Sequence, residues 1–229
     1  MIGIIGAMDL EINALIKQLE CKKETRIGMD IFYDGILANK PVVLSVCGPG
    51  KVNAAICTQN MITCFHPEAV INMGVAGAGN DLVNVGDMVV ATAAVQHDMD
   101  TSPIGDPIGY ISKIGMTEVP CDAVIREKLV NAARKLEHVH VFQGIIATGD
   151  QFISDAKRRS IIHERFDACA VEMEGGAVAH VCYANNVPCG ILRSLSDKAN
   201  GEAEMDYPTF AAMAAEHAQL VIKSFLKEY

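Results

Sequence analysis

Short apolar runs that alternate with segments of helical periodicity are the feature that most restricts the fold of this chain. Candidate strands lie at residues 1–6, 31–37, 41–47, 69–73, 87–95, 140–147, 169–173 and 189–195. Candidate helices lie at residues 8–20, 52–64, 122–136, 155–164, 174–185 and 208–227. Several strand segments, such as "AVINM" and "MVVATAAV", are continuously apolar, which is typical of strands covered on both faces. The alternation predicts one layered α/β domain spanning residues 1–229.

The acidic charge balance disfavours polyanionic partners. The formal net charge is −9 at pH 7, so we expect no nucleic acid and no membrane as partner. None of the eight cysteines belongs to a CxxC pair, and most lie in apolar runs, as buried free thiols do. The first residues, "MIGIIGAMDLE", contain no basic segment and only a short apolar stretch. We therefore expect a cytoplasmic protein with reduced thiols.

Two glycine motifs suggest phosphate-binding loops, and both are incomplete. The stretch "GIIGAM" follows the first strand, but Asp9 stands where a dinucleotide fingerprint has its third glycine. The stretch "SVCGPGKV" has Ser45 in place of the first P-loop glycine and Val52 in place of the Ser/Thr. Neither motif predicts a nucleotide site, although glycines at strand ends still let a ligand approach the backbone.

Acidic side chains occur where predicted strands meet the segments that follow them. Glu11 lies early in the first helix, and Asp197 ends the strand "GILRSLSD". Glu172 and Glu174 lie at the strand-to-helix junction "AVEMEGG". Each has a purely structural interpretation, since acidic residues stabilise helix N-termini and cap helices. Because ligands of α/β sheets bind in crevices at such strand ends, the same carboxylates are also candidate acid–base groups.

Six stretches in a fixed order carry a resemblance to one family. They are "GIIGAMDLE" at 3–11, "GPGKVNAA" at 48–55, "INMGVAGAG" at 71–79, "GDQFI" at 149–153, "AVEMEGGAVAHVC" at 170–182 and "LRSLSDKA" at 192–199. Together they resemble the 5′-methylthioadenosine/S-adenosylhomocysteine nucleosidases of the purine nucleoside phosphorylase and uridine phosphorylase superfamily. The resemblance extends from residue 1 to the last predicted helix.

The resemblance implies a fold and a reaction. The fold would be a single α/β domain of the nucleoside phosphorylase type, with a central mixed β-sheet between helical layers, assembled as a homodimer. The reaction would be irreversible hydrolysis of the N-glycosidic bond of an adenine nucleoside, which releases adenine and a 5-thio-substituted ribose. No metal and no organic cofactor would take part.

The resemblance also assigns chemical roles. Asp197 would be the general acid that protonates purine N7, and Glu11 the base that deprotonates the attacking water. Glu174 would accept hydrogen bonds from the ribose 2′- and 3′-hydroxyls, with Met173 as an apolar wall beside the sugar. Such carboxylates would also stabilise an oxocarbenium-like transition state. Because Asp197 must hold a proton when needed, we expect its pKa to be raised or coupled to another group.

The remaining implied contacts surround these groups. Phe152 would stack on adenine while the backbone of Ile153 reads its edge. Tyr207, Met8 and Pro49 would cover the ribose and the 5′ substituent. The other substrate-contacting positions are Arg193, which would help to hold the water, Glu172, which would orient water or backbone, and Ser196, Val75, Ala76 and Gly77.

Two regions depart from the family pattern. Val75 stands where the family often has a serine that helps to hold water, so the water network is in question. In the long 96–115 segment, family members often place aromatics that reach the partner subunit's site. Ile104, Asp106 and Pro107 occupy that region here, which predicts an altered preference for the 5′ substituent.

Three alternatives stay open at the level of sequence. A nucleoside phosphorylase needs basic side chains for phosphate, and the stretch "AVINMGVAGAG" offers no arginine before its glycines. A nucleosidase for 6-amino-6-deoxyfutalosine would use a closely similar site. A catalytically silent nucleoside-binding protein would not need an acid and a base together, whereas Glu11, Glu174 and Asp197 are all present.

Overall fold

The computed structural model describes residues 1–197 and 203–229, and within this part the strands form one mixed sheet. The strands are β1 Ile2–Gly6, β2 Glu20–Ile27, β3 Asp30–Leu37, β4 Lys40–Val46, β5 Ala69–Ala78, β6 Met88–Gln96, β7 Val119–Pro120, β8 Val141–Thr148, β9 Ala168–Glu172 and β10 Cys189–Asp197. The α-helices are α1 Asp9–Lys17, α2 Lys51–Phe65, α3 Ala123–Ala133, α4 Ala156–Phe166, α5 Gly175–Ala184 and α6 Ala203–Glu228.

The sheet curls so that five of its strands close on themselves. The strand order is β10-β6-β8-β9-β5-β1-β4-β3-β2, and β10 also pairs with β5. Strands β10, β6, β8, β9 and β5 therefore form a ring, from which β1, β4, β3 and β2 extend. Strands β1, β5 and β10 run parallel to one another, so their carboxyl ends meet at one edge. That edge positions the candidate site.

Helices cover both faces of the sheet, as the alternating pattern predicts. On one face, α1, α3 and α6 bury a cluster that includes Leu15, Leu129 and Phe225. On the other, α2 and α5 bury Met61 and Val178 against the sheet. Helix α4 packs on β8 and β9 through a third cluster. The layered α/β/α fold class with a central mixed sheet is confirmed.

Some elements differ from the prediction. Strand β2, "ECKKETRI", was not predicted because it is an edge strand that is exposed on nearly all of its residues. Its charged side chains block further pairing at that edge. Strand β5 continues through its glycines to Ala78, beyond the predicted end at residue 73. Helix α6 begins at Ala203, so Pro208 does not mark its start. Lys198 and Ala199 of the stretch "LRSLSDKA" lie outside the described residues.

The cysteines and the helices bear on the predicted thiol state and on membrane association. All eight cysteines are free thiols, and five of them are buried. Within the described part of the chain, no helix is both long and apolar enough to cross a membrane.

Candidate active site

A cavity of about 220 Å³ opens at the edge where β1, β5 and β10 end. Its walls are Ala7, Met8, Glu11, Pro49, Val75, Ala76, Gly77, Phe152, Val171, Glu172, Met173, Glu174, Ser196, Asp197 and Tyr207. Four carboxylates and many apolar groups therefore face one space. Pockets for small organic ligands have this character, with a few polar groups in an apolar lining.

The β1–α1 junction fixes Glu11 at one end of the cavity. Glu11 reaches back to the start of its own helix, where its Oε2 accepts hydrogen bonds from Ala7 N at 2.7 Å and Met8 N at 2.9 Å. Its Oε1 accepts a third from Val75 N at 2.9 Å. A Cβ at Gly74 would clash with this carboxylate, so the glycine makes room for it. Burial raises the pKa of Glu11 above its ordinary value, although Arg193 and the three N–H donors act against that rise.

The start of α5 fixes Glu174. Its Oε1 accepts a hydrogen bond from Gly50 N at 2.9 Å, which ties the Gly48–Gly50 loop to the carboxylate. Gly50 has φ of 98°, a left-handed conformation that favours glycine. Burial, and then repulsion from the Glu172 carboxylate, raise the pKa of Glu174 to about 7.

A buried polar network lies behind Glu174. Glu172 accepts hydrogen bonds from Glu174 N at 3.0 Å and Gly175 N at 2.7 Å, and it also bonds Thr148 and Arg193. Arg193 further bonds Asn72 and lies 3.9 Å from Glu174 Oε2. Burial disfavours the Arg193 cation, but the surrounding carboxylates hold its pKa above the ordinary value. Glu172 thus orients backbone at the start of α5 as well as lining the cavity.

The glycines after Glu174 serve this network. A Cβ at Gly176 would lie 2.8 Å from Thr148 Oγ1, and a Cβ at Gly175 would lie 3.2 Å from Glu172 Oε2. These glycines therefore let the helix start approach two buried side chains.

Asp197 lies at the other end of the cavity, where β10 ends beside β5. Its Oδ1 accepts a hydrogen bond from Ser196 Oγ at 3.1 Å, and its Oδ2 lies 3.4 Å from Arg159 Nη2 on α4. A Cβ at Gly77 would lie 2.8 Å from Oδ2. The side chains of Asp197 and Arg159 are 3% and 1% exposed, so this ion pair is screened from water.

The two ends of the cavity are separated along β5. Glu11 lies over Gly74 and Val75, whereas Asp197 lies beside Gly77. Three residues of extended strand span roughly 10 Å. This separation is comparable to the one that lets a water molecule and a sugar ring lie between an acid and a base.

Aromatic and apolar side chains complete the walls. The rings of Phe152 and Tyr207 meet edge to face with centroids 5.7 Å apart. Tyr207 donates a hydrogen bond to Met8 Sδ at 3.0 Å. Burial and nearby carboxylates raise the pKa of Tyr207, so the phenol stays neutral. Pro49 and Met173 lie on the same walls.

Some of the predicted site residues lie off this wall. Ile153 faces a smaller adjoining cavity that it shares with Phe152 and Asp197, and Arg193 lies buried behind Glu172. Ile104 is 81% exposed, Pro107 lines a separate surface hollow, and Asp106 accepts a hydrogen bond from Thr101. Within this single chain, these three residues do not reach the cavity.

Five residues at or behind the cavity were not predicted: Ala7, Asn72, Thr148, Arg159 and Val171. Arg159 carried one usable signal. It lies three residues before Ile162 and seven before Phe166, which places it on the buried stripe of α4. The asparagine and the threonine lie inside apolar strand runs, where a polar residue needs a specific partner.

Comparisons with known proteins agree with this architecture. Residues 1–227 match the model of the phosphorylase superfamily. The 5′-methylthioadenosine/S-adenosylhomocysteine nucleosidase of Staphylococcus carnosus is 38% identical over 228 residues, which cover 99% of each chain. The corresponding nucleosidase of Neisseria meningitidis, solved with methylthio-immucillin-A, has a TM-score of 0.95 at 34% identity, covering 100% of this chain and 99% of its own. Futalosine hydrolase of Helicobacter pylori has a TM-score of 0.93 at 33% identity, covering 100% and 97%.

The fold and the site thus define a member of the phosphorylase superfamily. The chain belongs, within that superfamily, to the 5′-methylthioadenosine/S-adenosylhomocysteine nucleosidase family. Nucleosidases are enzymes, namely N-glycosyl hydrolases, and the resemblance carried by the six sequence stretches is confirmed.

Proposed function

We propose that this chain, as one nucleosidase domain of residues 1–229, hydrolyses the N-glycosidic bond of 5′-methylthioadenosine and S-adenosylhomocysteine. The products are adenine and the 5-thio-substituted ribose, and 5′-deoxyadenosine is a further candidate substrate. One observation carries the proposal: Glu11 and Asp197 lie at two ends of a single cavity, and Glu174 lines the same cavity. This arrangement suits a reaction that protonates a leaving group at one end and activates water at the other.

The acid end performs the first half of the reaction. Asp197 donates a proton to purine N7 as the bond between C1′ and N9 breaks, so adenine leaves as a neutral base. Phe152 stacks on the base, and the backbone of Ile153 reads its edge, with Ser196 holding Asp197 Oδ1. The positive charge that develops on the sugar faces a cavity whose walls carry four carboxylates, which stabilise it.

The base end performs the second half. Glu11 takes a proton from the water that attacks C1′, and the hydroxide oxygen forms the new bond to the sugar. Burial raises the pKa of Glu11, which makes its carboxylate a stronger base than an exposed one. Arg193, with Glu172, holds this end of the site in position.

The sugar is held between the two ends. Glu174 accepts hydrogen bonds from the 2′- and 3′-hydroxyls, while Met173 covers the face of the ribose. Tyr207, Met8 and Pro49 surround the 5′ group, and Val75, Ala76 and Gly77 of β5 form the floor. The sulfur substituent therefore meets apolar atoms, which suits a thioether.

Phosphorolysis fits the side chains of this cavity less well than hydrolysis does. Among the described residues that line it, none is Lys, Arg or His. The two nearby arginines, Arg193 and Arg159, are already paired with Glu172 and Asp197. Among the described residues, a phosphate ion would meet carboxylates and no side-chain cation directed at it, so water is the better nucleophile.

The similarity to a futalosine hydrolase makes an aminodeoxyfutalosine a second candidate substrate. The futalosine hydrolase of Helicobacter pylori has nearly the same fold over the full chain, with a TM-score of 0.93. An aminodeoxyfutalosine differs from methylthioadenosine only in its 5′ substituent, and the acid, base and diol contacts would be unchanged. The walls around the 5′ group would decide between the two substrates.

The proposed activity also sets a biological context. A cytoplasmic enzyme of this kind would serve methionine salvage and the recycling of S-adenosylhomocysteine. We propose a homodimer in which Ile104, Asp106 and Pro107 contribute to the partner subunit's 5′ pocket. The exposure of Ile104 in the single chain is consistent with that role.

Base release from a panel of nucleosides tests the proposal. Methylthioadenosine, adenosylhomocysteine, aminodeoxyfutalosine, adenosine and inosine are incubated with the enzyme, with and without phosphate, and free base is measured. We expect rapid release of adenine from the 5′-thio substrates without phosphate. A strict requirement for phosphate would identify a phosphorylase, and the absence of any release would leave only a binding protein.

A further inference from the structure

Arg159 is a buried cation that joins two parts of the proposed acid end. It lies on α4, three residues before Ile162, and its side chain is 1% exposed. Its Nη2 donates a hydrogen bond to the Ile153 carbonyl at 3.0 Å and lies 3.4 Å from Asp197 Oδ2. The same guanidinium nitrogen therefore contacts both the segment that reads adenine and the group that protonates it.

We propose that Arg159 is a positioning residue, which holds the Asp197 carboxylate at a fixed distance from the adenine-contacting segment so that proton transfer to N7 is efficient. This inference rests on the proposed function and adds a residue to it. Arg159 would act through Asp197 and is not itself a catalytic residue.

The geometry supports positioning because each Asp197 oxygen is constrained from a different side. Oδ1 accepts the Ser196 hydroxyl at 3.1 Å, and Oδ2 faces Arg159 and the open side of Gly77. A guanidinium is planar and rigid, so it fixes the direction of its partners better than a lysine ammonium does. The carboxylate plane is thus held at the wall of the cavity that Asp197 lines.

The Ile153 contact extends the constraint to the base. A carbonyl oxygen has two lone pairs, so Ile153 O can accept from Arg159 and still offer a second lone pair. If α4 shifts, the reading segment and the acid shift together. Misplacement of about 1 Å between reacting groups costs on the order of 10²-fold in rate, so such coupling matters.

The charge of Arg159 acts on the product of that step, since a cation beside a carboxyl favours its ionised form. A cation next to Asp197 stabilises the carboxylate that remains after the proton has moved to N7. The other ionisable groups on the cavity walls, Glu11, Glu172, Glu174 and Tyr207, offer Asp197 no positive charge. Within the described residues that touch Asp197, Arg159 is the cation that can do this.

The test compares two leaving groups in Arg159→Met and Arg159→Lys. Methylthioadenosine needs protonation of its base, whereas 4-nitrophenyl 5-methylthio-riboside releases a nitrophenolate that leaves as an anion, without a proton. General acid assistance is worth about 10²–10⁴-fold, and we expect Arg159→Met to lose roughly 10–100-fold of it in kcat on methylthioadenosine. The loss on the nitrophenyl substrate should be below about threefold, and Arg159→Lys should recover part of the activity on methylthioadenosine.

A double-mutant cycle and a matched control complete the test. In an Asp197→Asn background, Arg159→Met should cause almost no further loss, because its effect passes through Asp197. Arg158→Met is the control: Arg158 is the neighbouring residue on α4, is exposed and bonds Gln151. It should match wild type on both substrates.

Three outcomes overturn the inference. They are equal losses by Arg159→Met on the two substrates, full additivity with Asp197→Asn, and no loss at all. If Arg159→Met does not fold, the ratio of the two losses is measured on Arg159→Lys, and a ratio near one counts against the proposal. Failure of the proposed function is distinguishable, since wild type would then release no adenine or Asp197→Asn would remain fully active.

Discussion

Two buried arginines flank the cavity, and within the described part of the chain different carboxylates of the cavity lie next to each one. Arg193 projects from β10 and is shared by Glu172, which it bonds, and Glu174, 3.9 Å away. Arg159 projects from α4 and pairs with Asp197 at 3.4 Å. Among the described residues, the end of the cavity near Arg193 therefore has more carboxyl groups than cations, whereas at the other end Arg159 faces Asp197.

This difference matches the chemistry proposed for each end. Glu11 and Glu174 lie near Arg193, and burial raises the pKa of both despite that cation. A proton-accepting group gains from such a surplus of negative charge, because its conjugate acid is stabilised. At the other end, the Arg159 cation stabilises the Asp197 carboxylate that is left once the proton has moved to the base.

The largest expected effect comes from removing the proposed acid and the proposed base separately. Asp197→Asn and Glu11→Gln should each lower kcat on methylthioadenosine by about 10²–10⁴-fold, the usual contribution of general acid–base catalysis. On the 4-nitrophenyl riboside, Asp197→Asn should retain most of its activity and Glu11→Gln should not. Steady-state kinetics on both substrates check this, and the same pattern for both variants would show that the two ends are not specialised.

The free energy of unfolding should fall by different amounts when each of the two buried arginines is removed. Arg193→Met leaves several buried carboxylates without their cation, and we expect a loss of about 3–5 kcal/mol in the free energy of unfolding. Arg159→Met leaves one carboxylate that borders the cavity, with a smaller loss of about 1–3 kcal/mol. Exposed Arg158→Met should stay within about 0.5 kcal/mol of wild type. Urea unfolding of the three variants measures the order, and a greater loss for Arg159→Met would contradict the comparison.

The raised pKa of Glu174 predicts a dependence of stability on pH. Its carboxyl binds a proton more tightly in the folded than in the unfolded protein, so its contribution to stability is greatest below about pH 4.5 and falls as pH rises toward about 7. The full effect is at most about 3 kcal/mol, and Glu174→Gln should remove it.

The readout is the difference between wild type and Glu174→Gln in urea unfolding at pH 5 and pH 8. Other groups change stability over this range as well. Burial raises the pKa of Glu11, which acts in the same direction as Glu174. Burial lowers the pKa of His97 and His180, and these two groups make stability rise with pH. A parallel pH dependence in wild type and variant would show that Glu174 titrates as an exposed carboxyl does.

The sequence predicts the scaffold and most of the cavity walls better than the polar side chains buried behind those walls. Apolar runs and helical periodicity locate nearly every strand and helix, because burial on both sheet faces imposes those patterns. The edge strand β2 was not predicted because most of its residues are exposed and many are charged. Arg159 was not predicted because it lies next to Arg158 in a polar helix and so resembles a solvent-facing residue. The positions of Ile162 and Phe166 show that it lies on the buried face of α4.

The smallest effect should come from Val75, which lies on β5 between the two ends. Its N–H donates to Glu11, and its side chain packs against Ala214 and Ala215 of α6. Val75→Ser adds a hydroxyl that can hold the water near Glu11, but it also removes apolar packing. One hydrogen bond is worth about 0.5–1.5 kcal/mol, so kcat should change by no more than about tenfold. Val75→Ala is the matched control, because it loses the methyl groups without gaining the hydroxyl. A gain in kcat for serine but not alanine would place the water at the Glu11 end, whereas equal changes in both variants would mean that only packing is felt there.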